Sequence, residues 1–354
     1  MSTIGRRTKV KEFLHLVDIE AFITNYRPNF MYLSGFTGST AFLIITGDKD
    51  YIVVDGRYIL RAKNEVDDDI QIVDTLDKSS LIKKTRDLLK DLGIGTIGIE
   101  KNNLRVSDYL FFSEYFDVKP FNYVIESIRS EKDRDEVEKI KKALLISERV
   151  LQEAEAKLYE GVGKLSEIEL ANFIKRRIIE LGANGLAFEP IVAFGKNTAL
   201  PHYTPSDNIL KEGDFVIIDM GAVVDQYHSD ITRSFCIGKN SEFERLYKIV
   251  LEAQIASIES IRAGVPVKNP YIVATKVFEK YGLKDYFTHG LGHGVGLEIH
   301  ELPSMSAAGF GFLKNNNVLT VEPGIYLPEI GGIRIEDMVI VEDNGVNILT
   351  RYPK

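Results

Sequence analysis

Three of the six histidines in this 354-residue sequence lie in one glycine-rich segment, HGLGHGVGLEIH. His289 and His293 have the i, i+4 spacing of a metal-binding pair on a helix. Four glycines alternate through the segment, however, and each glycine inside a helix costs about 1 kcal/mol relative to alanine. We therefore predict a loop or bent strand that brings imidazoles close to a ligand, since glycine allows close backbone approach. On these residues alone, a turn with incidental histidines is the alternative.

Two aspartates interrupt apolar, strand-like sequence in VIIDMGAVVDQYHSDITRSF. A hairpin with a two-residue turn at Val224 and Asp225 would place Asp219 directly opposite Asp230, with Cβ atoms about 4.5–5.5 Å apart. Facing carboxylates repel each other unless a cation lies between them or one takes up a proton. The alternative is that Asp219 simply ends one strand and Asp230 begins the next.

The same arrangement recurs in VEPGIYLPEIGGIRIED, where a hairpin centred on Glu329 would set Glu322 opposite Glu336. Four carboxylates and an imidazole, without cysteine, form a ligand set that favours Mn²⁺, Co²⁺, Zn²⁺ or Fe²⁺. Two divalent ions would neutralise the four acids, and two ions about 3.5–4 Å apart can activate water and polarise a carbonyl. The glycine-rich segment would deliver His293 to such a site and leave His300 free to act beside it.

The elements that must position these residues form two predicted domains, 1–125 and 126–354. In the first, apolar stretches rich in β-branched and aromatic residues predict strands, with a helix near 79–92. The stretches are AFLII, YIVVD, IQIVD and TIGIE. They indicate a small α/β domain, whose FTGS and DGRY segments are interpreted as loops and a strand end.

The second domain is predicted to be α+β, with antiparallel hairpins that carry the acids and helices that cover one face. Apolar residues at helical spacing predict a long first helix, which Ser130 would cap, with Asp133 three residues later. The next helix, about 167–181, begins with the capping box of Ser166 and Glu169. Two further helices are predicted over about 242–262 and from Asn269 to Gly282.

Composition narrows the class of protein. The net charge of −8 argues against nucleic acid as the main partner, since that requires a basic surface. A single cysteine permits no internal disulfide, which fits a reducing cytoplasm. The sequence shows neither a signal peptide nor an apolar run approaching the roughly 18 residues of a membrane helix, so no membrane partner is expected.

Four segments in this order and spacing carry a family resemblance: IDMGAVVDQYHSDITR, HGLGHGVGLEIHE, VEPGIY and GIRIED. They resemble the pita-bread metallopeptidases, and among these the proline-specific exopeptidases of the prolidase and aminopeptidase P type. The resemblance extends to PNFMYLSGFTGS and VDGRY in the first domain and to AFEPIVAFGKNTALPH in the second. It implies a creatinase- and prolidase-like first domain followed by a pita-bread catalytic domain.

The resemblance implies a site for two divalent metal ions, with Mn²⁺ or Co²⁺ preferred. Asp219 would hold one ion, and His293 with Glu322 the other. Asp230 and Glu336 would bridge both ions. Glu322 would also transfer the proton of the bridging water. A homodimer is implied as well, in which the first domain helps to close the partner's site.

Candidate residues that would contact the substrate follow from the resemblance and from strand parity. By resemblance, His300 would steady the tetrahedral intermediate, and His202 would contact substrate from the opposite wall. His289 would line the same pocket, and Phe188 would pack against the proline ring or belong to the core. Arg334 shares the strand parity of Glu336, so it should lie on the metal side of the strand. Its guanidinium could there pair with a substrate carboxylate.

Strand parity also applies to two residues of the first acidic hairpin. Thr232 has the parity of Asp230 and could orient that carboxylate. His228 has the same parity but is interpreted as a non-ligand, because the resembled family varies at this position.

The function expected from the resemblance is hydrolysis of the Xaa-Pro peptide bond by an Xaa-Pro dipeptidase. The alternative is an aminopeptidase P that acts on longer peptides. Several prolidases have an arginine shortly after the His-Glu of the glycine segment, whereas this chain has Ser304 there. The short first domain, in turn, is closer to that of small prolidases. A remote alternative is a non-catalytic binding module of the same fold.

Overall fold

The computed structural model describes residues 2–75 and 80–354. The chain divides into two compact units, Met1–Arg129 and Ser130–Lys354. Each unit has buried apolar strands and its own cluster of core residues.

The first unit contains a six-stranded mixed sheet with the strand order β4-β3-β2-β1-β5-β6. Its strands are β1 (Ala21–Thr24), β2 (Phe42–Thr46), β3 (Asp50–Val54), β4 (Ile70–Asp74), β5 (Thr96–Glu100) and β6 (Asp117–Phe121). Its helices are α1 (Thr3–Val17), α2 (Arg27–Ser34), α3 (Ile59–Glu65), α4 (Leu81–Asp91), α5 (Val106–Ser113) and α6 (Val124–Arg129). The central strand β1 pairs antiparallel with β2 and parallel with β5.

All four strands predicted for this unit are present, as β2 to β5. The helix predicted near 79–92 corresponds to α4, and position 79 of that prediction lies outside the described residues. The prediction missed β1, which has only four residues, and β6, which is largely exposed and contains Pro120. A strand as short as β1 gives a weak sequence signal, and a proline within a run argues against a strand.

The second unit combines helices with short antiparallel strands, which confirms the α+β prediction. Its helices are α7 (Arg134–Glu160), α8 (Glu167–Glu180), α9 (Ser241–Glu259) and α10 (Asn269–Lys280), with short 3₁₀ turns at Gly195–Ala199 and Lys284–Tyr286. Its first strands are β7 (Gly185–Leu186), β8 (Ile191–Phe194), β9 (Phe215–Met220), β10 (Ala222–Val224), β11 (Tyr227–His228) and β12 (Ile231–Cys236). The later strands are β13 (Gly292–Gly294), β14 (Glu301–Met305), β15 (Val318–Val321), β16 (Gly324–Leu327), β17 (Gly331–Arg334), β18 (Asp337–Glu342) and β19 (Gly345–Ile348).

These strands form small sheets rather than one continuous sheet. Strand β9 lies between β8 and β12, and a five-stranded sheet has the order β14-β13-β15-β18-β19. Helices α9 and α10 pack against each other, and their apolar faces share a core with β15 to β18. The core therefore supports the strands that carry the acidic residues.

Helix starts follow their capping residues. The capping box of Ser166 and Glu169 is present at α8, as predicted. The prediction that Ser130 caps the long helix α7 is wrong, because Asp133 is the cap and forms a capping box with Glu136. Ser130 lies earlier in the chain, where its carbonyl accepts a hydrogen bond from Asn317.

The first acidic hairpin has a different register from the predicted one. Asp219 pairs with Thr232 rather than with Asp230. The two turn residues are Asp225 and Gln226, with φ of 50° and 72°, as in the type I′ turns that suit the twist of a hairpin. Asp230 consequently lies just before β12, outside the ladder.

The second acidic hairpin has the predicted register. Val321 pairs with Asp337 on one side of the acids, and Gly324 pairs with Arg334 on the other. Glu322 and Glu336 therefore lie opposite one another, at a short interruption between two ladders of the same register. This part of the sequence interpretation is confirmed.

Candidate metal centre

The side chains predicted to bind metal come together in the second unit. Ligand atoms of Asp230, His293 and Glu336 all lie within 4.8 Å of one another, an arrangement that could hold a metal ion. His293 Nε2 is 3.6 Å from Asp230 Oδ2 and 3.4 Å from Glu322 Oε1. The middle of the glycine-rich segment is the short strand β13, with a register shift after His293, and it carries this imidazole to the acids from both hairpins.

The backbone beside His293 fixes which ring nitrogen faces the acids. His293 Nδ1–H donates to the carbonyl oxygen of Gly294, 3.0 Å away. Nε2 is left facing the carboxylates. A hydrogen bond of this kind orients an imidazole as a ligand.

Three carboxylate oxygens at this site are buried without a hydrogen-bond partner: Asp219 Oδ1, Asp230 Oδ1 and Glu336 Oε1. Buried polar atoms normally have partners, and an unmatched group often marks an ion site. Hard oxygen donors together with one imidazole suit divalent cations. The residues present therefore fit a metal centre.

The electrostatics of the acids fit the same interpretation. Burial, together with the neighbouring carboxylates, raises the pKa of Asp230 and Glu336 well above the usual range. Burial also raises the pKa of Asp219, although Arg334 opposes this shift. A cluster of acids that resists ionisation is one that a divalent cation would neutralise.

Glu322 and His293 form the ionised pair of the cluster. Burial disfavours the charged form of each, but their mutual hydrogen bond and attraction outweigh it. The pKa of Glu322 falls to about 2. The pKa of His293 is raised. Within this pair, the carboxylate of Glu322 and the imidazole of His293 each favour the charged form.

Arg334 and Thr232 hold the carboxylates in place. The Arg334 guanidinium, 3% exposed, donates to Asp219 Oδ2 at 2.6 Å and to the hydroxyl of Tyr326 at 2.8 Å. Its Nε–H donates to Thr232 Oγ1 at 3.2 Å. Thr232 in turn donates to Glu336 Oε2 at 2.7 Å. The prediction that Thr232 orients Asp230 is therefore wrong, because its hydroxyl donates to Glu336 instead.

Two further histidines lie beside the acids. The ring of His300 is 4.3 Å from that of His293, edge to face. His289 Nε2 accepts a hydrogen bond from the Tyr326 hydroxyl at 2.9 Å, while its Nδ1–H donates to the Gly290 carbonyl. Burial lowers the pKa of both His289 and His300, so both favour the neutral form.

The remaining predicted substrate residues lie at the edge of this group. His202 is exposed, and the carbonyl of the preceding Pro201 accepts a hydrogen bond from Arg334 Nη1 at 3.4 Å, which places it beside the residues that support the acids. Phe188 is half-buried, and its ring edge would lie 3.1 Å from a Cβ added to Gly221. His228 Nδ1–H donates to the carbonyl of Gly296 at 3.0 Å, and its assignment as a non-ligand stays a prediction.

The glycines of β13 are required by crowding. A Cβ added to Gly292 would lie 2.1 Å from the carbonyl oxygen of Thr320. One added to Gly294 would lie 2.2 Å from the carbonyl oxygen of Leu302. Glycine is thus needed for close backbone approach, one of the two reasons that the sequence suggested.

The sequence interpretation missed two residues that organise the site. Tyr326 links Arg334 to His289, and its strand parity with Glu322 was the available signal. Glu167 accepts hydrogen bonds from Tyr203 and Ser206, in the segment that contains His202. Its position inside a capping-box sequence pointed only to helix initiation.

None of the helices within residues 2–75 and 80–354 has the length and apolar character needed to cross a membrane. The family model of metallopeptidase family M24 matches residues 138–343, and that of the creatinase/prolidase N-terminal domain matches residues 6–130.

Full-length relatives of known name are similar to this chain. An Xaa-Pro dipeptidase of Pyrococcus furiosus is 36% identical, over 98% of this chain and 97% of that protein. The structure of an Xaa-Pro dipeptidase from Bacillus anthracis has a TM-score of 0.94 at 31% identity, covering 100% of this chain and 99% of that one. The structure of an X-Pro aminopeptidase from Thermotoga maritima has a TM-score of 0.85 at 36% identity, covering 97% and 98%.

Proposed function

This chain belongs to metallopeptidase family M24, and we propose that it is a metal-dependent exopeptidase that hydrolyses the Xaa-Pro bond, with Xaa-Pro dipeptides as its main substrates. The observation that carries the proposal is the set of three unpartnered, buried carboxylate oxygens beside His293. Full-length similarity to named Xaa-Pro dipeptidases supports the substrate class.

Divalent metal ions are the cofactor of this site. We propose two ions, Mn²⁺ or Co²⁺, which Asp219, Asp230, His293, Glu322 and Glu336 would hold. When bound, the ions supply a Lewis acid for the scissile carbonyl and lower the pKa of water. The oxygen-rich donor set supports this choice.

Glu322 is proposed as the group that moves the proton. Its carboxylate would take a proton from the attacking water and return it to the proline nitrogen. That nitrogen belongs to a tertiary amide and needs a proton to leave. The low pKa of Glu322 arises largely from protonated His293, so a neutral His293 would restore its strength as a base.

Three histidines are proposed to surround the scissile bond. His300, neutral near pH 7, would donate an N–H hydrogen bond to the developing oxyanion. His202 would contact the substrate from the opposite side. His289 is oriented by Tyr326 and would line the pocket near Phe188.

We propose that Arg334 positions the metal ligand Asp219 and does not bind a substrate carboxylate. Its donors are directed to Asp219, Tyr326 and Thr232, and the side chain is buried. No basic residue then stands between Glu301 and Leu313 to recognise a free proline carboxylate. This feature favours the second candidate, an aminopeptidase P that acts on longer peptides, whose fold the Thermotoga structure shares.

The test is hydrolysis after chelation with EDTA and readdition of Mn²⁺, Co²⁺ or Zn²⁺. Met-Pro, Met-Pro-Gly and Ala-Ala would be compared. Metal-restored cleavage of Met-Pro in preference to the tripeptide establishes the dipeptidase, whereas faster release of Met from Met-Pro-Gly establishes the aminopeptidase. No metal-dependent cleavage of either refutes the proposal and leaves the non-catalytic binding module.

A matched pair of variants ties the activity to the site. Asp230→Asn should abolish metal-restored hydrolysis, because it removes a carboxylate of the candidate metal group. Asp225→Asn makes the same chemical change in the turn of the same hairpin, where asparagine also tolerates positive φ. It should retain activity. We also propose a cytoplasmic homodimer, for which sedimentation of the metal-loaded protein is the check on assembly.

A further inference from the structure

A second buried carboxylate, outside the metal centre, gathers an unusual number of hydrogen-bond donors. Glu167, the first residue of α8, is completely buried. Its Oε1 accepts hydrogen bonds from Phe194 N, Asn197 Nδ2 and Asn208 Nδ2 at 2.8–3.2 Å. Its Oε2 accepts from the Tyr203 hydroxyl, Ser206 N and Ser206 Oγ at 2.8–3.1 Å.

All six donors belong to one stretch of chain, residues 194–208, which we call the His202 segment. The segment begins at the end of β8, passes through a 3₁₀ turn, and has little regular structure after it. Its backbone amides and side chains therefore lack the ladder partners that strands provide. A buried carboxylate offers several acceptor positions at once, and hydrogen bonds to a charged acceptor are the stronger ones.

The other side of the His202 segment contacts the metal centre's supporting residues. The Thr198 hydroxyl accepts a hydrogen bond from Gly332 N at 2.8 Å, on strand β17. The Pro201 carbonyl accepts from Arg334 Nη1 at 3.4 Å. His202 follows Pro201 directly in the chain. The segment is thus fixed at one side by Glu167 and meets the site at the other.

We propose that Glu167 is a positioning residue for catalysis, which holds His202 against the substrate side of the metal centre. The inference rests on the proposed function, because His202 has a substrate to contact only if the chain is a peptidase. Glu167 itself does not touch the substrate. It acts through the geometry of the His202 segment.

Glu167→Gln is the most sensitive test, since it preserves size and shape. An amide nitrogen in place of Oε2 could donate to the Tyr203 and Ser206 hydroxyls, which can also accept. It would meet the backbone N–H of Ser206 donor to donor. An amide nitrogen in place of Oε1 would face the N–H of Phe194 in the same way. Either orientation therefore loosens the segment without opening a cavity.

Glu169→Gln is the matched control. It makes the same change two residues away on the same helix, at an exposed position. Glutamine can replace glutamate in the capping box that Glu169 forms with Ser166. This variant should have the kinetics of the parent protein.

The kinetic experiment is a double-mutant cycle with His202→Ala on metal-loaded enzyme. We expect Glu167→Gln to lower kcat/KM for Met-Pro by about 10- to 100-fold. If Glu167 acts through His202, the same change made in His202→Ala should have little further effect. A merely structural role would give equal losses in both backgrounds, and that result would overturn the proposal, as would unchanged kinetics in a folded Glu167→Gln.

Hydrogen–deuterium exchange supplies a readout that does not depend on activity. Residues 194–208 should exchange faster in Glu167→Gln than in Glu169→Gln, while β9 and β15 stay protected. Unchanged exchange in the segment overturns the proposal even if the parent protein cleaves no Xaa-Pro substrate. Faster exchange with no hydrolysis by the parent protein would instead locate the failure in the proposed function.

A milder variant keeps the test available if Glu167→Gln does not fold. Tyr203→Phe removes one of the six donors and leaves the carboxylate in place. We expect a loss of about 3- to 10-fold in kcat/KM, again absent in the His202→Ala background. An additive loss would count against the proposal.

Discussion

Metal binding to the stripped protein should release protons, and the structure sets how many. Four carboxylates meet at the site. They are opposed by the guanidinium of Arg334 and by an imidazolium at His293, whose pKa is raised. About two negative charges remain for protons to neutralise, which fits the raised pKa of Asp219, Asp230 and Glu336.

Two divalent ions would displace these protons and the one on His293, because metal ligands must be deprotonated. We therefore expect release of about three protons when both ions bind near pH 6. Each released proton makes the overall association constant rise about tenfold per pH unit, or roughly 1.4 kcal/mol. Binding should consequently weaken steeply as the pH falls.

The assay is isothermal titration of the EDTA-stripped protein with Mn²⁺ in two buffers of different ionisation enthalpy. The difference in heat gives the number of protons released. Asp225→Asn should match the parent protein, whereas Asp230→Asn should release about one proton fewer. Heat that does not depend on the buffer would refute the reasoning, because it would mean that the acids are already ionised in the metal-free site.

Three other predictions concern one residue that supports the site, one buried acid of the first unit and one glycine of β13. Thr232→Val should weaken Mn²⁺ binding about tenfold by removing the hydrogen bond to Glu336, and unchanged affinity by titration would contradict this. Burial raises the pKa of Glu100 to about 8, so folding stability should fall as pH rises from about 4.5 to 8. Glu100→Gln should remove that loss. Relative to the parent protein, the variant's free energy of unfolding in urea should be higher by up to about 4 kcal/mol more at pH 9 than at pH 5. The same difference between variant and parent at both pH values would contradict this. Gly292→Ala places a Cβ 2.1 Å from a backbone carbonyl and should cost about 1–3 kcal/mol, whereas Gly290→Ala, with no contact under 3.3 Å, should cost less; equal melting temperatures would contradict this.

The two acidic hairpins show how far the sequence could predict geometry. In the second hairpin, Glu322 and Glu336 lie between ladders whose alternation fixes the register on both sides. In the first, the turn residues Asp225 and Gln226 do not form the Asn-Gly or Asp-Gly pair that marks a type I′ turn. The register was therefore misplaced by two residues. Because side chains alternate with a period of two, that error preserved the face on which the acids lie.

Contacts between residues that are distant in the chain could not be predicted from the sequence. Glu167 bonds residues 27 to 41 positions away, and no local pattern marks such pairs. Its capping-box setting pointed to helix initiation, which Ser166 and Glu169 do perform. Arg334 was assigned to the correct side of its strand, but parity alone could not show that Asp219 already takes its guanidinium.

The hydrogen bonds that hold the acids have a consequence for how the protein acquires its metal. Asp219 and Glu336 are oriented by Arg334 and Thr232, and His293 by the carbonyl of Gly294, so protein contacts alone assemble the ligands. We therefore expect the EDTA-stripped chain to keep its fold and to bind the ions afterwards. Its ion content then follows which metals are abundant during growth and purification as well as ligand preference. Preparations from media supplemented with different metals should differ in specific activity while sharing one fold, until all are stripped and reloaded with a single ion.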